Sequence, residues 1–316
     1  MSNIILTTNC QRKCKYCFAK DNVQNEMSFS IENFIKVIDW MVSSREKITR
    51  VGFLGGEPTS HPDFVEFLDY TLSKRLSVLV FTNGMVDNSE LFSGVIETAK
   101  NNEVTCFTHL GFCLNVNEQK YRSRKEEELQ NEFLIKLGRV TNLSFNIFEE
   151  SFDPYFLLNI INKYNTIRHI RLGLAAPLGN SNACINPINF NVIAEKIVKF
   201  INVTKKNNID LNFDCGFPLC MFSDEALAKF VDSGTKAMFS CEPIIDVYPN
   251  LEAAYCYPLS RQIKANIADY ESYIDLHHEW FNKFKNTSPM YDKCVECNYY
   301  KQQICGGGCK AHKING

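Results

Sequence analysis

An α/β fold, a partial (β/α)6 barrel of TIM type followed by a small Cys-rich α+β domain, is what three features of the 316-residue sequence predict. Short apolar runs of four to seven residues alternate with longer amphipathic stretches, six pairs in all, through the first two thirds of the chain. The alternation stops after about Asn208. From there cysteine, glycine and aromatic residues become dense. Parallel strands joined by right-handed helical crossovers satisfy the first pattern, and they put functional loops at the C-terminal ends of the strands.

The first apolar run, Asn3 to Thr7, predicts the opening strand, and Ser30 to Val42 predicts its helix, with Ser30 as a short polar cap and Glu32 as an acid in the first turn. Arg50 to Leu54 and Pro62 to Leu72 make the second pair, Pro being suited to a first turn. Ser77 to Thr82 precedes Ser89 to Lys100, which Asn88 and Glu90 mark as a helix start. Gly111 to Val116 precedes Ser123 to Leu137, and Leu143 to Phe148 precedes Pro154 to Lys163, announced by Asp153 and Pro154. Ile167 to Leu174 and Phe190 to Thr204 close the series. The core then covers residues 1–207 and the tail 208–316, with the boundary falling between 205 and 212. No Pro-, Ser- or Gly-rich linker intervenes, so the tail is expected to pack on the barrel. Glu118 to Glu132, with nine charged residues in fifteen, reads as a solvated helix or loop face.

Composition narrows the function. Apolar residues at 45% and charged residues at 22% match soluble globular proteins, and 15 Gly with 10 Pro exclude collagen-like and disordered chains. The 34 Lys and Arg against 36 Asp and Glu leave a net charge of -2, without the basic excess that phosphate neutralisation needs, so no nucleic-acid partner is expected. No apolar run approaches the roughly 18 residues of a membrane span, and a cytoplasmic location is the expectation. Fourteen cysteines are too few for a disulfide scaffold of this length and too many for packing alone.

Cys10, Cys14 and Cys17 follow the first strand directly, in CQRKCKYC. Three soft thiolates suit an iron-sulfur cluster, whereas a zinc site closes with a fourth ligand and no Cys or His follows until His61. A [4Fe-4S] cluster with one open iron fits this set, and the open iron is then a position for a substrate or cofactor. Arg12, Lys13 and Lys15 would offset its negative charge. The motif resembles that of the radical S-adenosylmethionine (radical SAM) superfamily, C-x3-C-x-aromatic-C, matched by Cys10, Cys14, Tyr16 and Cys17. Gly55, Gly56, Glu57 and Pro58 in FLGGEPT resemble the family's GGEP segment, which contacts the methionine amino group, and Glu57 would supply a negative partner for the ammonium. FTNG, with Thr82 and Asn83, resembles the third-strand segment of the same family. By the same resemblance Asn115 would meet the ribose, Arg122 and Arg124 the methionine carboxylate, and Asn146 the cofactor. What the resemblance implies is a reduced cluster passing one electron to S-adenosylmethionine, giving methionine and a 5'-deoxyadenosyl radical that takes hydrogen from a substrate. An external one-electron reductant of flavodoxin or ferredoxin type belongs to that scheme.

Eight cysteines lie in the tail: Cys215, Cys220, Cys241, Cys256, Cys294, Cys297, Cys305 and Cys309. The densest run is C-x2-C-x7-C-x3-C, in which Gly306, Gly307 and Gly308 let amides curl round sulfur; alone it equally suits a zinc ribbon. Beside the radical SAM motif it resembles the SPASM or twitch extension, which holds further clusters near the substrate. The chain departs from that pattern twice, with x7 in place of x5 and no Cys after Cys309. The resemblance implies one or two auxiliary [4Fe-4S] clusters: Cys241, Cys256 and Cys309 on the barrel-proximal one, Cys294, Cys297 and Cys305 on the distal one, with Cys215 and Cys220 unallotted. Cys106, Cys113 and Cys184 read as small buried hydrophobes. The expected activity is oxidative modification or cross-linking of a ribosomally made peptide. A small-molecule oxidase or dehydrogenase is the alternative within the family, and a non-catalytic iron-sulfur or zinc-binding module the alternative outside it. Because the sequence opens on its first strand, leader-peptide binding is expected to need a separate protein or direct docking.

Overall fold

The computed structural model describes residues 1–19, 26–43, 48–104, 108–175, 183–214, 216–235, 239–241, 244–260, 263–285, 289 and 291–311. Strand and helix alternate as β1 (Ser2–Thr7), α1 (Ile31–Val42), β2 (Arg50–Gly55), α2 (Phe64–Ser73), β3 (Ser77–Thr82), α3 (Ser89–Asn101), β4 (Leu110–Asn115), α4 (Arg124–Leu137), β5 (Thr141–Ile147), α5 (Phe156–Tyr164), β6 (His169–Leu174) and α6 (Phe190–Lys206). Then come β7 (Asp210–Phe213), α7 (Asp224–Ser233), β8 (Ile245–Val247), β9 (Glu252–Tyr255), β10 (Lys264–Asn266), α8 (Tyr273–Lys285) and α9 (Asn298–Lys301). One ten-stranded sheet holds them in the order β10-β9-β8-β1-β2-β3-β4-β5-β6-β7. Neighbours from β1 to β7 are parallel, as are β1 and β8; β9 runs antiparallel to β8 and β10.

Local chemistry sets the helix starts. Ser30 accepts a hydrogen bond from the Asn33 amide, Asn88 from Glu90 and Ser123 from Glu126, each satisfying a donor that the first turn leaves open. α5 begins at Phe156, two residues later than Pro154, because Asp153 Oδ1 takes the Tyr155 amide at 2.9 Å and caps the turn before the helix.

The two faces of the sheet differ. Val78, Val80, Phe112, Leu114, Leu143, Phe145, Ile170 and Leu172 lie in the main core cluster with apolar residues of the flanking helices, such as Phe133 and Phe200. Along the alternate positions, Cys113 pairs in register with Asn142, Asn115 with Ser144, Ser144 with Arg171 and Asn146 with Gly173. That face is polar from β4 to β6, since successive strand side chains point to opposite sides.

The sheet runs past the six strands expected. Asp210–Phe213 adds a seventh parallel strand beside β6, and β8, β9 and β10 extend the other edge from β1. Strands therefore lie in one sheet on both sides of residue 207. DLNF alternates over only four residues and the tail strands have three or four, too short to stand out from loops by periodicity. Among the described residues no helix is long and apolar enough to cross a membrane.

Candidate functional site

The cysteine loop is an outgrowth of β1, and the end of β2 holds its root. Gly56 N–H donates to Thr7 O and Glu57 N–H to Asn9 O, both at 2.8 Å. Glycine is needed here because Gly55 has φ +146° and a Cβ on Gly55 or Gly56 would collide with the backbone of Thr7 or of Thr8 and Asn9. The two glycines thus admit the loop's own backbone.

Cys10, Cys14 and Cys17 are half-buried within this loop. Cys10 Sγ accepts from the Arg12 amide at 3.4 Å and from Asn83 Nδ2 at 3.6 Å, and Cys17 N–H donates to Cys14 O at 3.3 Å. Burial pushes the Cys10 thiol up to about 11, with Glu57, Cys14 and Cys17 adding to the rise. Cys14 is also raised by burial, against the pull of Arg12. A thiol whose ionisation is disfavoured by neighbouring thiols, as at Cys10, suits a positively charged group that replaces its proton. Among the described residues no three His, Cys, Asp or Glu side chains converge on one ion position. A four-iron cluster does not require such convergence, because each thiolate binds its own iron.

Glu57 is 1% exposed. Its Oε1 accepts from the Thr59 amide (3.1 Å), Thr59 Oγ1 (2.6 Å) and Thr82 Oγ1 (2.7 Å), while Oε2 accepts from the Asn83 amide (2.6 Å). Four donors use its carboxylate as a brace between Pro58–Ser60 and the end of β3. Burial still raises its pKa, with those hydrogen bonds opposing. Pro58 and Thr82 are buried within the same brace, and Asn83 turns its amide to Cys10.

A second support comes from β4 and α4. Arg12 Nη1 donates to Asn115 O (2.8 Å) and to Asn115 Oδ1 (3.1 Å), and Tyr16 OH donates towards Asn115 Oδ1 (2.8 Å) and Asn117 Oδ1 (2.7 Å). The side-chain oxygen of Asn115, expected at a ribose, is thus used by the cysteine loop. Arg12 Nη2 stands 2.8 Å from Glu126 Oε1, both side chains 6% exposed, and Gln130 donates to Asn83 O at 2.7 Å. The reading of Glu118 to Glu132 as a solvated face is overturned at Glu126 and Gln130, which α4 turns inward. The Arg122 side chain has a buried Nε with no hydrogen-bond partner and lies over the Phe156 ring at 6.0 Å. Arg124 is 93% exposed and pairs with Glu128 at 2.9 Å. Asn146 sits on the polar face of the sheet, within electrostatic reach of Tyr16.

The sequence reading passed over Arg171 and Asp214. They form an ion pair on the polar face, with Arg171 also near Ser144 and 5.3 Å from the Phe81 ring centre. Their signal was polarity at inward strand positions. In the tail, Cys220 lies within electrostatic reach of Cys305 and Cys294, and Cys294 of Cys297. Gly307 N–H donates to Cys305 Sγ at 3.4 Å. Cys256 has φ +79°, a strained value for a non-glycine residue, and Cys309 Cβ lies 3.8 Å from where a Gly216 Cβ would be. Cys215 and Cys106 lie outside the described residues. Cys113 is buried as expected, while Cys184 is only half-buried. A groove lined in part by Asn9, Cys10, Gln11, His61, Met85 and Lys125 opens beside the cysteine loop.

The profile of the radical SAM superfamily matches residues 4–232. Over 154 residues, 46% of this chain and 33% of the relative, the sequence is 29% identical to the antilisterial bacteriocin subtilosin biosynthesis protein AlbA of Bacillus subtilis. Over 82 residues, 26% of this chain and 29% of the relative, it is 30% identical to the S-adenosylmethionine-dependent nucleotide dehydratase of Selenomonas ruminantium. The chain thus matches a third or less of the length of these relatives. The fold is that of Streptococcus suis SuiB, solved with its precursor peptide SuiA, at a TM-score of 0.68 and 14% identity, covering 99% of this chain and 72% of SuiB.

Proposed function

Because this chain belongs to the radical SAM superfamily, for which a [4Fe-4S] cluster and S-adenosylmethionine are implied, we propose that it takes hydrogen from a ribosomally made peptide and so oxidises or cross-links it. The observation that carries the reading is the cysteine loop braced from β2, β3, β4 and α4 at the C-terminal ends of the strands. When bound, the cluster and S-adenosylmethionine supply reductive C–S cleavage and hydrogen abstraction. Cys10, Cys14 and Cys17 would hold the cluster, and the backbone of Gly55 and Gly56, Asn146 and Arg122 would lie round the cofactor. The polar face that ends in Arg171 and Asp214 would orient the substrate. An external reductant would approach by the groove at Cys10.

The tail, residues 208–316, would act as a SPASM- or twitch-like domain. Cys220 would join Cys294, Cys297 and Cys305 on one auxiliary cluster, and Cys241, Cys256 and Cys309 would share another. The peptide substrate is supported by the likeness to AlbA and to SuiB, and a small-molecule substrate by the likeness to the nucleotide dehydratase.

Anaerobic reconstitution tests the reading. The parent is expected to hold about 8 to 12 irons, and changing Cys10, Cys14 and Cys17 together to Ala should remove about four and abolish 5'-deoxyadenosine formation. A parent that cleaves S-adenosylmethionine only when a nucleotide is added would transfer the reading to the small-molecule class. Unchanged cleavage in the triple variant would end it.

A further inference from the structure

Of the three basic residues in the cysteine loop, Lys13 and Lys15 are exposed and Arg12 alone turns inward. Burying that guanidinium against Glu126 strips water from two charges, a cost that must be met before their attraction is counted. Their 2.8 Å contact is not aligned as a hydrogen bond, and Arg12 Nε is buried with no hydrogen-bond partner. An orphaned buried donor is costly, so packing alone does not explain this side chain. Arg12 lies between Cys10 and Cys14 in the chain, its own amide bonds Cys10 Sγ, and Asn115 fixes the far side of its fork.

We propose that Arg12 is a positioning residue for the [4Fe-4S] cluster: clamped by Glu126 and Asn115, it holds a buried N–H donor and a fixed positive charge beside the cluster's sulfurs and so raises its reduction potential. Hydrogen bonds to sulfur and nearby charge are the protein's means of setting such potentials. The inference rests on the assignment of Cys10, Cys14 and Cys17 to that cluster. Glu126 and Gln130, one turn apart on α4, then serve the cluster loop from outside, through Arg12 and Asn83.

The test is a potentiometric titration of the reconstituted full chain, following the paramagnetic signal that changes on adding S-adenosylmethionine. Arg12→Met is expected to load iron like the parent and to shift the reduction equilibrium at least about tenfold towards the oxidised cluster, about 59 mV for one electron. Arg12→Lys, which keeps the charge without the planar fork, should recover part of that shift. Glu126→Gln, which removes the negative partner and leaves Arg12, should move the potential the other way. Arg12→Met at the parent's potential overturns the proposal. If Arg12→Met loses its iron, Glu126→Gln decides, and an unchanged or more negative potential there overturns it. A parent without a signal responsive to S-adenosylmethionine defeats the cluster assignment itself, whereas a responsive parent with indifferent variants defeats only the role of Arg12.

Discussion

Asp246 on β8 is fully buried and accepts a 2.7 Å hydrogen bond from Asn3 Nδ2 on β1. Burial pushes its carboxyl up to about 7, with Asn3 and the Tyr257 amide opposing. The folded chain therefore keeps this proton up to about pH 7, while the unfolded chain releases it near the ordinary value of 3.8. Between those limits the folded state binds more protons, so stability falls as pH rises, and the loss is complete above about pH 7. Asp246→Asn removes the titration. In urea denaturation at about pH 5 and about pH 8, the variant should gain on the parent at the higher pH by about 1 kcal/mol or more; an equal difference at both would refute this. Single residues were legible in the sequence where a motif fixed them, as with Cys10, Cys14 and Cys17. The hydrogen bonds round Glu57 were not legible, since GGEP does not say that Thr59, Thr82 and the Asn83 amide will close round its carboxylate.

Among the elements, α4 shows what pattern reading catches and what it misses. Its start was visible because capping is local, and Ser123→Ala should cost about 1 kcal/mol by removing the bond to the Glu126 amide. Thermal denaturation of the two proteins measures it, and an unchanged midpoint would contradict the cap. The inward face of α4 was hidden by composition. Glu126, Gln130, Phe133, Leu134 and Leu137 make a buried stripe at helical spacing, but its first two members are polar and sit among nine charges. A polar residue continuing an apolar stripe was the available signal, and it marked the contact with Arg12. The strands β1 to β6 were legible to within two residues because each carries buried apolar side chains, in a run or at alternate positions, and is broken by turns.

At the scale of the whole molecule, the tail is bound to the core by β8 beside β1, by Trp40 donating to Tyr270 O and by Tyr273 donating to Met1 O. The missing linker pointed to packing of the tail on the barrel, but these contacts were not legible, because β8 has three residues and its partner β1 lies 243 residues away in sequence. Cys220 was an unallotted cysteine for the same reason: its neighbours Cys294 and Cys305 are far away in sequence. Cys220→Ala should remove about four irons and leave 5'-deoxyadenosine formation measurable. Full iron in that variant would place Cys220 outside any cluster. The β1–β8 pairing also orders events in time. Ser2 bonds to Ile245 across 243 residues, and a ribosome adding about 5–20 residues per second needs on the order of ten seconds or more to bridge them. Until then the strand that carries the cysteine loop has one bare edge, open to pairing with another nascent chain. Cluster loading is thus expected only after β8 has been made, and slower growth at lower temperature with chaperone in excess should favour soluble, loadable protein.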